Sequence, residues 1–239
     1  MISFIIPTLN EEKAIEKTLK SISAFNGSKE IILSDGGSND ATLNIARKYT
    51  DLITVYEGAE RQTISGGRNA GAKMARGEYL VFVDADVTID GVDEFFTTAV
   101  GKFESDQDIV GLTTNLRVLP EAATFADRAI FGSFNFINRH LNNTLHVGGS
   151  FGEFQMMRRD VFNAIGGFKE HLVTGEDHDF FRRLARHGRT YFASELGVHH
   201  TGRRAHKVGW PRLLATWGAN TVYSLIFRKS ATKEWKVIR

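Results

Sequence analysis

A chain of 239 residues with 42% hydrophobic content has material for one large domain, or one and a half, with a sizeable core. It contains no cysteine, which excludes disulfides, thiolate metal sites and cysteine nucleophiles and fits a reducing compartment. Its net charge of +2 hides a polarity: from Arg182 to Arg239, 13 Lys or Arg face two acids, Glu195 and Glu234, a net of +11, while the remainder carries −9.

A basic tail behind an acidic front suits an anionic partner, such as a diphosphate, a lipid surface or nucleic acid. Met1 to Pro7 lack a basic segment followed by a long apolar one, so no signal peptide is expected. No run of about 18 uncharged apolar residues occurs, so no transmembrane helix is expected either.

In chain order, Ile2 to Ile6 is a short apolar run ended by Pro7, which predicts a strand and then a loop. Ile15, Leu19 and Ile22 recur at helical spacing, with Asn10 as the expected cap and Glu11 and Glu12 suited to the first turn. Glu30 to Leu33 predicts a second strand, ending at Ser34-Asp35-Gly36-Gly37-Ser38, and Asp40 starts a helix through Leu43, Ile45 and Ala46. Leu52 to Tyr56 reads as a third strand. Gly66-Gly67-Arg68-Asn69-Ala70-Gly71 opens a helix that ends near Gly77.

The fourth strand, Tyr79 to Val83, is apolar throughout and reads as buried on both faces. It runs into Asp84-Ala85-Asp86. Side chains two apart on a strand point the same way, and in open α/β sheets ligands bind beyond the carboxyl ends of the strands. Two carboxylates that close need a cation or donors to neutralise them. Mg²⁺ accepts one or two carboxylates together with substrate phosphates. Four strands alternating with helices predict a parallel sheet with right-handed crossovers, a nucleotide-binding half. A dinucleotide G-x-G-x-x-G and a P-loop are both missing.

Beyond Asp86 the pattern changes. Helices are expected over Val92 to Phe103, Pro120 to Leu141 and Arg159 to Ile165, with another from Thr174-Gly175-Glu176-Asp177. Ile109 to Val118, Tyr191 to Ala193 and Gly197 to His200 read as strands. The helix carrying Phe125, Phe131, Phe134 and Phe136 has a wide aromatic surface, suited to core packing or to a lipid or acceptor surface. Val147 to Gly152 is glycine-rich and allows a backbone to approach a ligand closely. Trp210 to Phe227 reads as a last helix with basic flanks.

Four motifs stand in order: Ile6-Pro7-Thr8-Leu9-Asn10-Glu11-Glu12, Ser34-Asp35-Gly36-Gly37-Ser38-Asn39-Asp40, Gly67-Arg68-Asn69 with Asp84-Ala85-Asp86, and Gly175-Glu176-Asp177. Each alone has low specificity. Together they resemble the inverting family 2 glycosyltransferases of GT-A fold, over about residues 2–205. The resemblance implies an α/β architecture with a Rossmann-like, mostly parallel nucleotide-binding half flanked by helices over 1–90. An acceptor half over 91–205 would follow, then a basic, aromatic helical extension over 206–239.

The resemblance also implies roles. Pro7, Thr8 and Glu11 would line the pocket of a nucleoside-diphosphate sugar, Asp35 would accept a hydrogen bond from the base, and Arg68 would lie by the nucleotide. Asp84 would touch the ribose or the metal shell, Asp86 would ligate Mg²⁺ or Mn²⁺, and Asp177, beside Glu176 in the donor site, would be the general base. His200 resembles the late metal-binding histidine of many GT-A enzymes, with His199 as the alternative, and Arg203 and Arg204 would grip the leaving diphosphate. The Q-x-x-R-W signature of processive synthases is missing.

The competing readings are a sugar nucleotidyltransferase, against which Pro7-Thr8-Leu9-Asn10 lacks a glycine-rich phosphate loop, and a silent sugar-binding or membrane-scaffold protein. For the tail, Trp210, Leu213, Leu214, Trp217, Val222, Leu225, Ile226 and Phe227 form an apolar face flanked or followed by Arg212, Arg228, Lys229, Lys233 and Lys236. Tryptophans with basic residues suit a membrane–water interface. The expectation is a cytoplasmic enzyme, peripheral at the membrane, acting on a lipid-linked or glycan acceptor and not on nucleic acid. The rival for this helix is packing on the domain or across a dimer.

Overall fold

The computed structural model describes the backbone of residues 1–227 and the side chains of residues 1–220. Arg228, Lys229, Lys233 and Lys236 lie outside the described residues, and so do the side chains of Val222, Leu225, Ile226 and Phe227.

The first half runs β1 (Ile2–Thr8), α1 (Ile15–Ser23), β2 (Lys29–Asp35), α2 (Thr42–Ala46), β3 (Ile53–Val55), α3 (Ile64–Met74) and β4 (Tyr79–Val83). The second half runs β5 (Val87–Thr88), α4 (Val92–Ser105), β6 (Ile109–Val118), α5 (Phe125–Asn143), β7 (Phe154–Arg158), α6 (Arg159–Ile165), α7 (Glu176–Leu184), β8 (Arg189–His200), α8 (Arg203–Val208) and α9 (Trp210–Phe227).

One eight-stranded sheet takes the order β3-β2-β1-β4-β7-β6-β8-β5. The first four strands in that order are parallel, as the alternation of strands and helices predicts. The mostly parallel arrangement expected for the nucleotide-binding half holds there, and the second half is mixed. β7 lies antiparallel between β4 and β6, β8 runs parallel to β6, and β5 runs antiparallel to β8. The two expected strands at Tyr191 and Gly197 are one strand, whose register against β6 shifts between Thr114 and Asn115.

Strand alternation divides the core between the two faces of the sheet. Phe4, Ile6, Val81 and Val83 pack on one face against Phe96 and Leu19. Ile5, Leu80 and Phe82 pack on the other against Phe162, Phe168 and Phe180. α3 lies close on that second face because of its glycines: a Cβ on Gly71 would come 2.5 Å from Cγ2 of Ile5. The glycine run thus serves helix–sheet packing as well as opening a helix, which starts two residues earlier at a Thr63 cap.

The first helix departs from expectation. α1 begins after Ala14, and Asn10 caps no helix. Asn10 holds a left-handed conformation (φ 55°), with its N–H donating to Ser38 Oγ and its side-chain oxygen accepting from the Asn39 N–H. It ties the loop after β1 to the loop after β2, a bond between segments that no local cap pattern reveals.

Candidate functional site

The strands β1, β2 and β4 end on one edge, and beyond them opens a cleft of about 760 Å³. Pro7, Thr8, Glu11, Asp84, Asp86, His200, Arg203 and Arg204 all line it, brought together from three strand ends and the start of α8. Asp35, Arg68, Glu176 and Asp177 stand outside that lining.

Asp84 and Asp86 leave β4 in opposite company. Asp86 Oδ2 accepts from the Thr201 hydroxyl and lies 3.4 Å from Arg203 Nε. Arg203 in turn grips Glu11 in a fork, at 2.6 and 2.7 Å. Such two-bond pairing fixes orientation as well as charge, so α8 is clamped to the loop after β1 across the cleft.

Asp84 turns to Arg68. That arginine is 1% exposed, and it donates to Asp84 Oδ1 at 3.2 Å, Glu176 Oε1 at 3.0 Å and the Gly152 carbonyl at 2.8 Å. Its guanidinium also lies 5.3 Å from the centre of the Phe168 ring. The Arg68 guanidinium is spent on this joint and does not itself line the cleft, although its partner Asp84 does. It joins the Asp84 motif to the Glu176-Asp177 motif behind the cleft wall, because a buried guanidinium requires carboxylates around it. Gly152 has no room for a side chain at this joint: a Cβ there would come 2.8 Å from Arg68 Nη2 and 3.4 Å from Asp177 Oδ2.

Asp35 is fully buried and its carboxylate is fully engaged. It accepts from the N–H groups of Gly37 and Ser38 at 2.9 and 2.6 Å, from the Ser38 hydroxyl at 2.6 Å and from the Thr8 hydroxyl at 3.3 Å. A carboxylate offers about four acceptor places. As placed, Asp35 shapes the 36–38 loop, and a base N–H would have to displace one of these donors.

Acids outnumber the cations that reach them. Burial, reinforced by the neighbouring Asp86, pushes Asp84 up to about 6 against the pull of Arg68. Burial and Asp177 push Glu176 up to about 7. Burial and Asp84 push Glu153 up to about 8. Glu153, absent from the sequence expectations, lines the cleft directly opposite Asp84, whose N–H donates to its carbonyl at 3.1 Å. Its only sequence signal was its place at the end of the glycine-rich 147–152 stretch. Asp177 occupies the first turn of α7, where one oxygen accepts its neighbour's N–H.

The two histidines separate by strand alternation. His199 faces Asp90 at 3.3 Å, whereas His200 lines the cleft. Burial holds the His200 imidazole down to about 4, so it is neutral, and its Nε2 has no hydrogen-bond partner. The carboxylates of Asp84 and Asp86 suit Mn²⁺ or Mg²⁺, and the unpartnered His200 Nε2, on the same cleft, is a further candidate ligand. Among the described residues no three His, Asp or Glu converge enough to hold a metal unaided. The donor set suits an ion whose shell is completed by phosphate oxygens of a ligand.

Two residues expected on a lipid-facing helix, Trp210 and Trp217, line the far end of the same cleft. Asp127, 1% exposed, anchors Trp210 by accepting from its Nε1, and also accepts from His206 Nε2, both at 2.8 Å.

The family model for glycosyl transferase family 2 matches residues 3–166. The glycosyltransferase AglE of Haloferax volcanii is 28% identical over 83% of this chain and 66% of its own length. The succinoglycan biosynthesis protein ExoA of Rhizobium meliloti is 26% identical over 77% and 58%. The chain thus spans less than two thirds of each of these relatives. The structure of the mannosyltransferase PcManGT from Pyrobaculum calidifontis, in complex with GDP-Man and Mn²⁺, superposes with a TM-score of 0.72. At 20% identity over 97% of this chain and 65% of that one, the likeness is one of fold.

Proposed function

The chain belongs to glycosyl transferase family 2, and from that premise we propose that it moves a sugar from a nucleoside-diphosphate sugar to an acceptor hydroxyl or phosphate, with inversion and with the help of Mg²⁺ or Mn²⁺. The observation that carries this reading is the set Asp84, Asp86 and His200 in one cleft, with His200 Nε2 unpartnered. The Mn²⁺ beside GDP-Man in the PcManGT complex supports the metal.

Pro7, Thr8 and Glu11 hold the nucleotide end. Asp84 and Asp86 would hold the metal together with His200, and the ion would supply charge stabilisation at the departing diphosphate. Arg203 and Arg204, at the start of α8, meet the same developing charge. The acceptor oxygen attacks the anomeric carbon as the bond from that carbon to the phosphate oxygen breaks. The acceptor proton passes to a carboxylate on the opposite face, and the electron pair of the broken bond leaves on the nucleoside diphosphate. Asp177 is our choice for that base. A second reading assigns it to Glu153, because Glu153 lines the cleft and Asp177 stands behind Gly152.

The basic tail, with tryptophans beside it, favours a lipid-linked acceptor and a peripheral position at a cytoplasmic membrane face. No described helix is long and apolar enough to cross a membrane. Co-sedimentation with anionic vesicles at low salt, reversed at high salt, is the expected sign of that position; indifference to vesicles would remove it.

The chemical test is product analysis after incubation with a donor, Mn²⁺ and an acceptor pool. Release of the nucleoside diphosphate together with a glycoside of inverted anomeric configuration is expected. Retention of configuration, or release of pyrophosphate from a nucleoside triphosphate, would contradict the reading.

A further inference from the structure

The nucleotide end of the cleft holds two polar side chains that the fold does not use. Ser34, beside Asp35 at the end of β2, lines the cleft and is 1% exposed, and its hydroxyl has no hydrogen-bond partner. A buried hydroxyl left unpaired is costly, so it calls for a partner from outside the fold. Gln62, the residue before the Thr63 cap of α3, lines the same end. Among the described residues its side-chain amide makes no hydrogen bond.

A bed of glycines sets where that amide lies. A Cβ on Gly66 would come 3.4 Å from Gln62 Cγ, and Cβ atoms on Gly67 and Gly36 would come 3.5 and 3.6 Å from its Oε1. The same Cβ place on Gly67 is 3.8 Å from Ser34 Oγ and 3.5 Å from Pro7 Cβ. The bare backbone of Gly67 thus gathers an amide, a hydroxyl and a proline ring around one point of the cleft.

These two groups decide which base edge fits. Asp35 has its acceptor places filled, and Glu60 stands at the exposed rim, where water competes for it. An amide offers an acceptor and a donor side by side, and a hydroxyl offers one proton. Uracil and thymine present an N–H between two carbonyls. The amide meets the N–H and one carbonyl, and the serine donates to the other. Cytosine is matched in the same way with the amide turned over. Guanine presents one carbonyl and two adjacent N–H groups, so the second N–H falls to a hydroxyl whose own proton is then unmatched. Adenine offers the serine no polar atom.

Resting on the nucleoside-diphosphate sugar reading, we propose that Gln62 and Ser34 select the base of the donor, and that this base is a pyrimidine.

Calorimetric titration of the full chain with UDP, dTDP, CDP, GDP and ADP in the presence of Mn²⁺ tests this, with pyrophosphate as the probe that lacks a base. The tightest pyrimidine nucleotide should bind at least about tenfold better than GDP and ADP, the effect of one buried polar group left unpaired. Gln62→Glu keeps the shape but replaces the donor with a second acceptor, which opposes a pyrimidine edge and suits the paired N–H groups of guanine. It should move the ratio at least about tenfold towards GDP. Gln62→Leu should flatten the preference and leave pyrophosphate binding unchanged, a pattern that a merely structural role would not produce. Ser34→Ala should narrow the preference in part. Gln62 is half-buried on a loop, so its two substitutions remove nothing from the core. GDP or ADP binding as tightly as every pyrimidine nucleotide, or a Gln62→Glu chain that keeps the parent ratio, would overturn the proposal and leave the glycosyltransferase reading standing. Binding of none of the five would instead remove the donor site beneath it.

Discussion

The two ends of the cleft are built on opposite rules. At the strand ends, Asp84, Asp86, Glu153 and Glu176 crowd around one buried arginine and one clamped arginine, and three of the four are held well above the usual carboxylate range. At the aromatic end the single buried carboxylate, Asp127, meets four donors from Thr124, His206 and Trp210, and those bonds hold it down to about 2 despite burial. The first end is short of positive charge and invites a ligand that brings it. The second is saturated and serves as a frame. Under-compensation marks the part of a molecule that waits for chemistry, and saturation marks the part that positions it.

The contrast can be broken where it is strongest. Asp177→Asn keeps the shape of α7's first turn but cannot take a proton, and transfer should fall about 10²–10⁴-fold with donor affinity nearly unchanged. Rate and donor titration on the same variant check this. A full loss in Glu153→Gln with little loss in Asp177→Asn would move the base to the strand end of β7.

Arg68→Met should act on stability more than on binding. It leaves Asp84 and Glu176 facing each other without their shared cation, and breaking one side of a buried ion pair costs about 3–5 kcal/mol. Denaturant unfolding at neutral pH measures it. A loss under about 1 kcal/mol would show that the joint between the two motifs is not held by Arg68.

The smallest effect is the most diagnostic of the comparison, because the two ends should answer pH in opposite senses. Asp84, Glu153 and Glu176 have folded values above their ordinary ones, so the folded state binds more protons than the unfolded chain. Without metal, stability should decline as pH rises from about 4 to about 8. Asp127 is depressed, so its contribution is present above about 4 and is lost as pH falls towards about 2. Melting of the metal-free protein should therefore peak on the acid side of neutrality, and Mn²⁺ should raise it more at pH 8 than at pH 5. A flat profile, or an equal Mn²⁺ effect at both values, would contradict the charge assignment.

The first half of the fold was legible because its units are local. Each strand meets its helix within about 30 residues, and Thr8, Asp35 and Asp84 stand at strand ends that the apolar runs mark. β7 escaped, because Phe154 to Arg158 is short and carries a fully buried Gln155 as its second residue, so neither alternation nor an apolar run appears. Arg68 was singled out as a site residue, but its partners Asp84 and Glu176 lie 16 and 108 residues away. No spacing in the sequence tells a nucleotide-facing arginine from one that joins two motifs. The aromatic surface of α5 was visible, and the structure gives its Phe131 a packing role in the core while the same ring lines the cleft. His199 and His200 could be separated only once β8 fixed which of them faces inward.

The most direct test of the central claim is a thermal-shift screen of UDP-, GDP- and dTDP-sugars, with and without Mn²⁺, on the parent chain and on Asp86→Ala. A ligand that binds only the folded state raises the melting temperature with its occupancy. At least one donor should stabilise the parent chain in the presence of Mn²⁺, and Asp86→Ala should lose that gain while melting near the parent value without ligand. No stabilisation by any donor, or an equal Mn²⁺-dependent gain in Asp86→Ala, would contradict a nucleotide-sugar site built on the end of β4.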